Sequence, residues 1–299
     1  MGIVWALHLV RTCILGGMVC VPAMCQIPPP VLGKLIEVAG HRLHLYCTGN
    51  GTPAVIVASG GFSFDWGLIQ PEIARHTQIC TYDTAGTAWS DHVPDEKNRT
   101  CTDRVTELHE LLRSAGVHEP YILVGYSIGG LIARLYAAEF PNEIAGMVLV
   151  DHAFVDTPVN RPTAPPPSGR NSPPVLVYQT PILLDFEDDE NFSRLPAHDQ
   201  ALHRWALPIS VRPTPEMAEK CFSEVARAEG SDAPLGEKAL AVVSIPYDSE
   251  QYLELQRKLL SLSRNSRQFV ADHSTHMVLI DQPETVIEAI EYVLAATRK

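Results

Sequence analysis

Apolar residues follow two different patterns along this chain. From Leu35 to Cys47 they alternate with polar ones, in Leu35-Ile-Glu-Val38 and then Arg42-Leu-His-Leu-Tyr-Cys47, on either side of Ala39-Gly40. Alternation around a Gly turn predicts a hairpin with one face in water. Beyond it the apolar positions come in short unbroken runs: Val55–Ala58, Ile79–Tyr82, Tyr121–Val124, Met147–Val150, Leu240–Val243 and Gln268–Val270. Strands without alternation are covered on both faces, as in a parallel sheet. Helical spacing appears between these runs. Val105, Leu108, Leu111 and Leu112 share one face between Asp103 and Ala115, and Gly116 supplies the stop. Leu131–Phe140 reads as a second helix ended by Pro141, and the leucines from 253 to 262 mark a third. Pro283 opens the last, with Val286, Ile287, Ile290 and Val293 on one side. Strands alternating with helices predict a doubly wound α/β sheet.

The alternation breaks between His152 and Leu235. Eight prolines crowd positions 158 to 181, and helix-like stretches follow at Ala197–Leu207 and Pro215–Glu229. The expected organisation is one domain whose core comprises residues 33–151 and 236–296. Residues 152–235 form an insertion, a cap or lid over the C-terminal edge of the sheet. A disordered linker would fit only Pro158 to Pro174. No internal repeat is visible.

Composition narrows the picture. The chain has 299 residues, 45% of them hydrophobic and 19% charged, with a formal net charge of −12. That balance disfavours a nucleic-acid partner, because phosphate binding needs a basic face. Residues 1–26 carry one charge, Arg11, followed by an apolar stretch from Cys13 to Met24 and small residues around Ala23. This matches a secretory signal peptide over residues 1–25 and predicts export to the periplasm or outside; the alternatives are a cytoplasmic or an N-terminally anchored protein. His8 and Arg11 interrupt any stretch long enough for a stable membrane span.

Three of the seven cysteines lie before residue 26, so cleavage would leave Cys47, Cys80, Cys101 and Cys221. An even number in an exported chain permits two disulfides in three pairings, while Cys47 and Cys80 also suit buried thiols inside strands. No Cys/His spacing suggests zinc, and neither a metal nor an organic cofactor is expected.

The strongest chemical signal is Gly125-Tyr126-Ser127-Ile128-Gly129-Gly130, placed between a strand and a helix. A sharp strand-to-helix turn projects the Ser127 hydroxyl beyond the sheet, and the flanking Gly125 and Gly129 remove Cβ atoms that would clash there. The helix also turns its N-terminal amides toward the site, favouring negative charge. A second segment, Tyr82-Asp83-Thr-Ala85-Gly86-Thr-Ala-Trp89-Ser90-Asp91, would on its own read as a turn after a strand.

These motifs resemble those of the α/β-hydrolase superfamily, over nearly everything from Gly33 to Ala296, and the second is similar to a segment found in a bacterial branch of it. The resemblance implies an α/β-hydrolase fold and a chain order of Ser, acid, His. His276 follows the last strand and precedes the final helix, where such a histidine sits; the nearby His273 reads as a surface or supporting residue. Two acids remain open. Asp151 ends the strand beside that of Ser127, and Asp248 follows the next strand in the commoner position but lacks the usual glycine turn. Asp272 and Asp281 read as helix-cap or loop carboxylates. An oxyanion hole would take one backbone N–H from Ile128 and one from Ser59-Gly60-Gly61-Phe62, with Gly61 ahead of Phe62.

The implied activity is cleavage of a carboxylic ester or related acyl bond in an apolar small molecule, with Phe186, Phe192, Trp205 and Leu207 of the insertion roofing the pocket. A serine nucleophile excludes the epoxide and dehalogenation chemistry of members with an aspartate there. Peptidase, carbon–carbon hydrolase and acyltransferase readings use the same residues, and a ligand-binding receptor without turnover is the alternative of a different class.

Overall fold

The computed structural model describes residues 28–58, 61–95, 98–152, 191–211, 213–230, 233–246 and 250–298. The leader at 1–25, the segment Pro158–Pro174, Phe186 and Asp248 lie outside these residues.

Eight strands form one sheet in the order β1-β2-β4-β3-β5-β6-β7-β8. Strands β1 (Lys34–Val38) and β2 (His41–Thr48) make the expected hairpin, with Ala39 and Gly40 at positive φ in its turn. β2 pairs antiparallel with β4 (Ile79–Tyr82). β4 then runs parallel to β3 (Ala54–Ala58), and the remaining neighbours β5 (Tyr121–Tyr126), β6 (Ile144–Val150), β7 (Ala239–Ser244) and β8 (Ser266–Val270) are all parallel. Every unbroken apolar run is a strand, and all but the edge strand β8, where Val270 is exposed, are buried on both faces as anticipated. Ile56, Leu123, Met147 and Leu149 enter one apolar core, while Val55, Val57, Ile122, Val124, Val148 and Val150 enter the other. A side-chain period of two sends alternate residues to opposite faces, and both are dry.

Helices cover both faces. α1 (Gln70–Ile73) is a single turn after β3. α2 (Cys101–Ala115) starts in a capping box between Thr100 and Asp103 and ends at Gly116 in the left-handed region (φ 69°), which costs glycine little. Its Val105, Leu108, Leu111 and Leu112 are buried in the first core. α3 (Gly129–Glu139) follows β5 directly, and α8 (Pro283–Thr297) closes the chain against the second core. The short α7 (Val278–Asp281) precedes it, and α6 (Glu250–Leu260) joins β7 to β8.

The described part of the insertion contains α4 (Ala197–Ala206) and α5 (Pro215–Glu229), close to the two helix-like stretches of the sequence. Only α4 takes the anticipated place, packing on the turn Ser63–Trp66 beyond the end of β3. α5 instead lies against α2 and α3, with Met217, Cys221 and Val225 sharing their core. Its apolar face needs an apolar surface, and these helices offer one.

Two disulfides fix this arrangement. Cys47 and Cys80 stand directly opposite each other on β2 and β4 and are joined. Cys101 on α2 is joined to Cys221 on α5, which ties the insertion to the core across 120 residues of sequence. Among the described residues, no helix is long and apolar enough to cross a membrane.

Candidate active site

The C-terminal ends of β5, β6 and β8 bring Ser127, Asp151 and His276 together. Ser127 sits between β5 and α3 at φ 54°, a conformation that a non-glycine residue adopts only at a cost. Its N–H donates to the Val150 carbonyl (3.0 Å), which fixes it to the neighbouring strand. Gly125 is required by close approach, since a Cβ there would lie 2.5 Å from Gly130 Cα. The sequence motif is thus a steric requirement of the turn.

His276 Nε2 lies 3.0 Å from Ser127 Oγ, and His276 Nδ1 makes a short contact with Asp151 Oδ2. With the carboxylate on Nδ1, that nitrogen carries the proton and Nε2 is left to accept from the hydroxyl. Asp151 is also held off ordinary backbone geometry, at φ 38°, and its N–H donates to the Val243 carbonyl (2.8 Å). Ser127 and Asp151 are buried; the His276 side chain, 13% exposed, is the member of the three that reaches the surface. Tyr126 steadies it twice, with its hydroxyl donating to the His276 carbonyl (2.9 Å) and its ring stacked at 5.2 Å.

The other anticipated residues fall as follows. His273 is exposed and Asp272 sits at the surface beside it. Asp281 is buried at the last position of the short helix α7, not in a loop: one oxygen accepts from the Thr275 N–H (2.8 Å) and hydroxyl (2.7 Å), immediately before His276. Its other oxygen accepts from Asn191 Nδ2 (2.8 Å) of the insertion. Ile128 caps the start of α3, where the Gly130 and Leu131 N–H groups donate to the Ser127 (3.1 Å) and Ile128 (3.0 Å) carbonyls. The Phe62 N–H is engaged, donating to Asp65 Oδ2 (2.8 Å). Phe192 is buried against His203, and Trp205 packs on Trp89 (ring centres 5.2 Å apart), so both seat α4 on the core.

Polar residues support these loops, among them Asp83, Ser90 and Asp91 of the second sequence segment, and His44 and His152, which the sequence did not single out. Asp83 is fully buried; it accepts from the Ser63 N–H (2.9 Å) on one oxygen and meets His44 Nδ1 (2.6 Å) on the other. Ser90 links His44 to the Asp83 carbonyl, donating to the latter at 2.6 Å, and the Arg42 guanidinium grips Asp91, holding that carboxyl below its usual range. The segment 82–91 thereby becomes a floor for the loop after β3. His152, next to Asp151, is wholly buried, and its Nδ1 lies 2.9 Å from the Ser127 carbonyl. Burial, then the nearby Arg134 cation, push its pKa down to about 3, so the ring is neutral. The group of metal-ligand type formed by Cys101, Cys221 and Glu224 has its two sulfurs bonded to each other.

The family model of the α/β-hydrolase fold matches residues 46–191, a stretch that holds Ser127 and Asp151, and the chain adds to it a mostly parallel eight-stranded sheet. This protein has the α/β-hydrolase fold. A solved α/β-hydrolase structure, a thermophilic esterase from Thermogutta terrifontis, superposes with a TM-score of 0.62 at 19% identity, over 89% of this chain and 99% of that one. Among curated relatives, the uncharacterized YqjL of Bacillus subtilis (strain 168) is 26% identical over 267 residues, 88% of this chain and 92% of that protein. The 2-hydroxymuconate semialdehyde hydrolase of Pseudomonas sp. (strain CF600) is 29% identical over 136 residues, 44% of this chain and 47% of that protein. Several other relatives are matched over a smaller share of their length, as little as 16%.

Proposed function

We propose that this α/β-hydrolase-fold protein is a serine hydrolase that cleaves a carboxylic ester or related acyl bond in an apolar small molecule. The observation that carries the reading is the His276 imidazole set between Ser127 Oγ (3.0 Å) and the Asp151 carboxylate. In this reading Ser127 Oγ attacks the carbonyl carbon while His276 Nε2 takes the hydroxyl proton. The tetrahedral oxyanion is held by the N–H groups of Ile128 and Gly61. Its collapse expels the alcohol, which receives the proton from His276. Water then attacks the acyl-enzyme, losing its proton to the same nitrogen, and the acid is released as Ser127 is restored. Asp151 keeps the imidazole in the tautomer this needs and stabilises the imidazolium.

Purified protein lacking residues 1–25 is expected to hydrolyse short p-nitrophenyl esters, and Ser127→Ala to abolish that turnover. Turnover unchanged by Ser127→Ala would overturn the reading. A carbon–carbon hydrolase is the second reading, favoured by the name of the Pseudomonas relative; a panel of vinylogous 1,5-diketones beside the esters distinguishes the two.

The two disulfides support export, since such bonds persist in oxidising compartments. Fractionation of a native producer would find the protein outside the cytoplasm, without its first 25 or so residues.

A further inference from the structure

Ser127 is gripped from two sides by one dipeptide. Asp151 reaches its hydroxyl through His276, and His152 reaches its carbonyl directly, with Nδ1 2.9 Å from the oxygen. A carbonyl only accepts, so Nδ1 must carry a proton. On the far side of the ring, Arg134 Nη1 lies 3.3 Å from Nε2. A guanidinium only donates, so Nε2 must be the acceptor. These two neighbours permit a single state of the ring, neutral with its proton on Nδ1. Arg134 is itself buried and held by Glu229 of α5 in a two-pronged pair, Nε to Oε1 at 2.7 Å and Nη2 to Oε2 at 2.5 Å. α5 is in turn fastened to α2 by Cys221 and Cys101.

Packing leaves the ring no other place. A Cβ on Gly130 would lie 2.3 Å from His152 Cγ, so this glycine makes room for the imidazole under the first turn of α3. A ring confined there, donating to the carbonyl of a residue at φ 54°, opposes relaxation of the strained turn.

We infer that His152 is a positioning residue for Ser127: held as a donor by Arg134 and Glu229, it fixes the nucleophile's backbone and couples the seating of α5 to the reactivity of the Ser127 hydroxyl. The inference rests on the serine-hydrolase reading above. It extends that reading from the three residues that meet at the hydroxyl to a line that begins on the insertion.

The test is the second-order rate of covalent labelling of the disulfide-bonded protein by a fluorophosphonate, with the labelled residue located by mass spectrometry. There the Ser127 oxygen bonds to phosphorus, fluoride leaves and His276 takes the proton. Turnover of a p-nitrophenyl ester is measured alongside. His152→Asn places an amide N–H near the position of Nδ1 and is expected to stay within about fivefold of the parent, whereas His152→Leu slows labelling and kcat by about 10²-fold with KM held within about twofold. Glu229→Ala, at the outer end of the line, is expected to slow labelling by about threefold to tenfold with KM likewise held. A buried residue that only filled space would be served as well by Leu as by Asn. Equal labelling of His152→Leu and parent, equal slowing of the Asn and Leu variants, or unchanged labelling of Glu229→Ala would each overturn the inference while the serine reading stood. No labelling of the parent at Ser127 would overturn the serine reading and this inference together.

Discussion

His203 and Asp65, 138 residues apart in sequence, meet with Nδ1 2.7 Å from Oδ1, both side chains buried. The histidine comes from α4 of the insertion and the aspartate from the turn that follows β3. Asp65 spends its second oxygen on the Phe62 N–H. An amide so engaged is not free to face a developing oxyanion while that bond lasts.

Asp65→Asn offers one acceptor where two donors converge, and turns its own NH2 toward one of them. Loss of stability by about 1–3 kcal/mol is expected from the unmatched buried groups. Turnover should fall by about 10²-fold if the loop shifts its oxyanion donor. Denaturant unfolding and ester kinetics on one preparation separate the two effects. If Phe62 were the donor instead, releasing its amide would raise kcat.

Replacing Asp151 by Asn keeps the shape but favours the wrong imidazole tautomer, and kcat is expected to drop by about 10⁴-fold. Asp248→Asn is expected to retain parental turnover. The opposite pattern would move the acid to the loop after β7.

His152 gives stability a pH dependence whose sign follows from its shift. Its pKa is about 3 in the folded chain against 6.5 ordinarily, so between those values the unfolded chain binds the additional proton. Stability is therefore fully present above pH 6.5 and declines as the pH falls toward 3, by up to about 1.4 kcal/mol per pH unit. Urea midpoints measured from pH 7 to pH 4 should fall less steeply for His152→Asn than for the parent. Parallel curves would contradict the assignment.

The disulfides should differ in weight. In the chain-entropy model, closing 33 residues between Cys47 and Cys80 stabilises by about 4 kcal/mol, and closing 120 between Cys101 and Cys221 by about 5 kcal/mol. Unfolding of Cys47→Ala/Cys80→Ala and Cys101→Ala/Cys221→Ala proteins measures each contribution. The second pair should also slow labelling of Ser127, because it frees α5 and with it Glu229.

The sheet is readable from the sequence because burial on both faces leaves unbroken apolar runs, and Ser127 because its turn imposes glycine at 125. Asp151 is readable only as one of two candidate acids, a carboxylate directly ending a strand beside the serine's. Asp65, His152 and His203 are not, because each acquires its role from a partner brought near by folding. A local pattern marks such residues as loop or helix polar groups. One signal was available for His152: Gly130, a second glycine that the turn itself does not demand, announces that something must approach the start of α3 closely.

Asp151 follows β6 directly and stands two positions before residue 153 of the sequence. Where the acid follows β7 instead, a whole strand separates it from such an insertion. Here the insertion follows Asp151 in the chain almost at once, so a change in its length or sequence acts on the backbone next to the proposed acid. Exchanging this segment for another length or sequence would therefore alter turnover even when affinity is preserved, so chimaeras built to change substrate choice should be judged first on kcat.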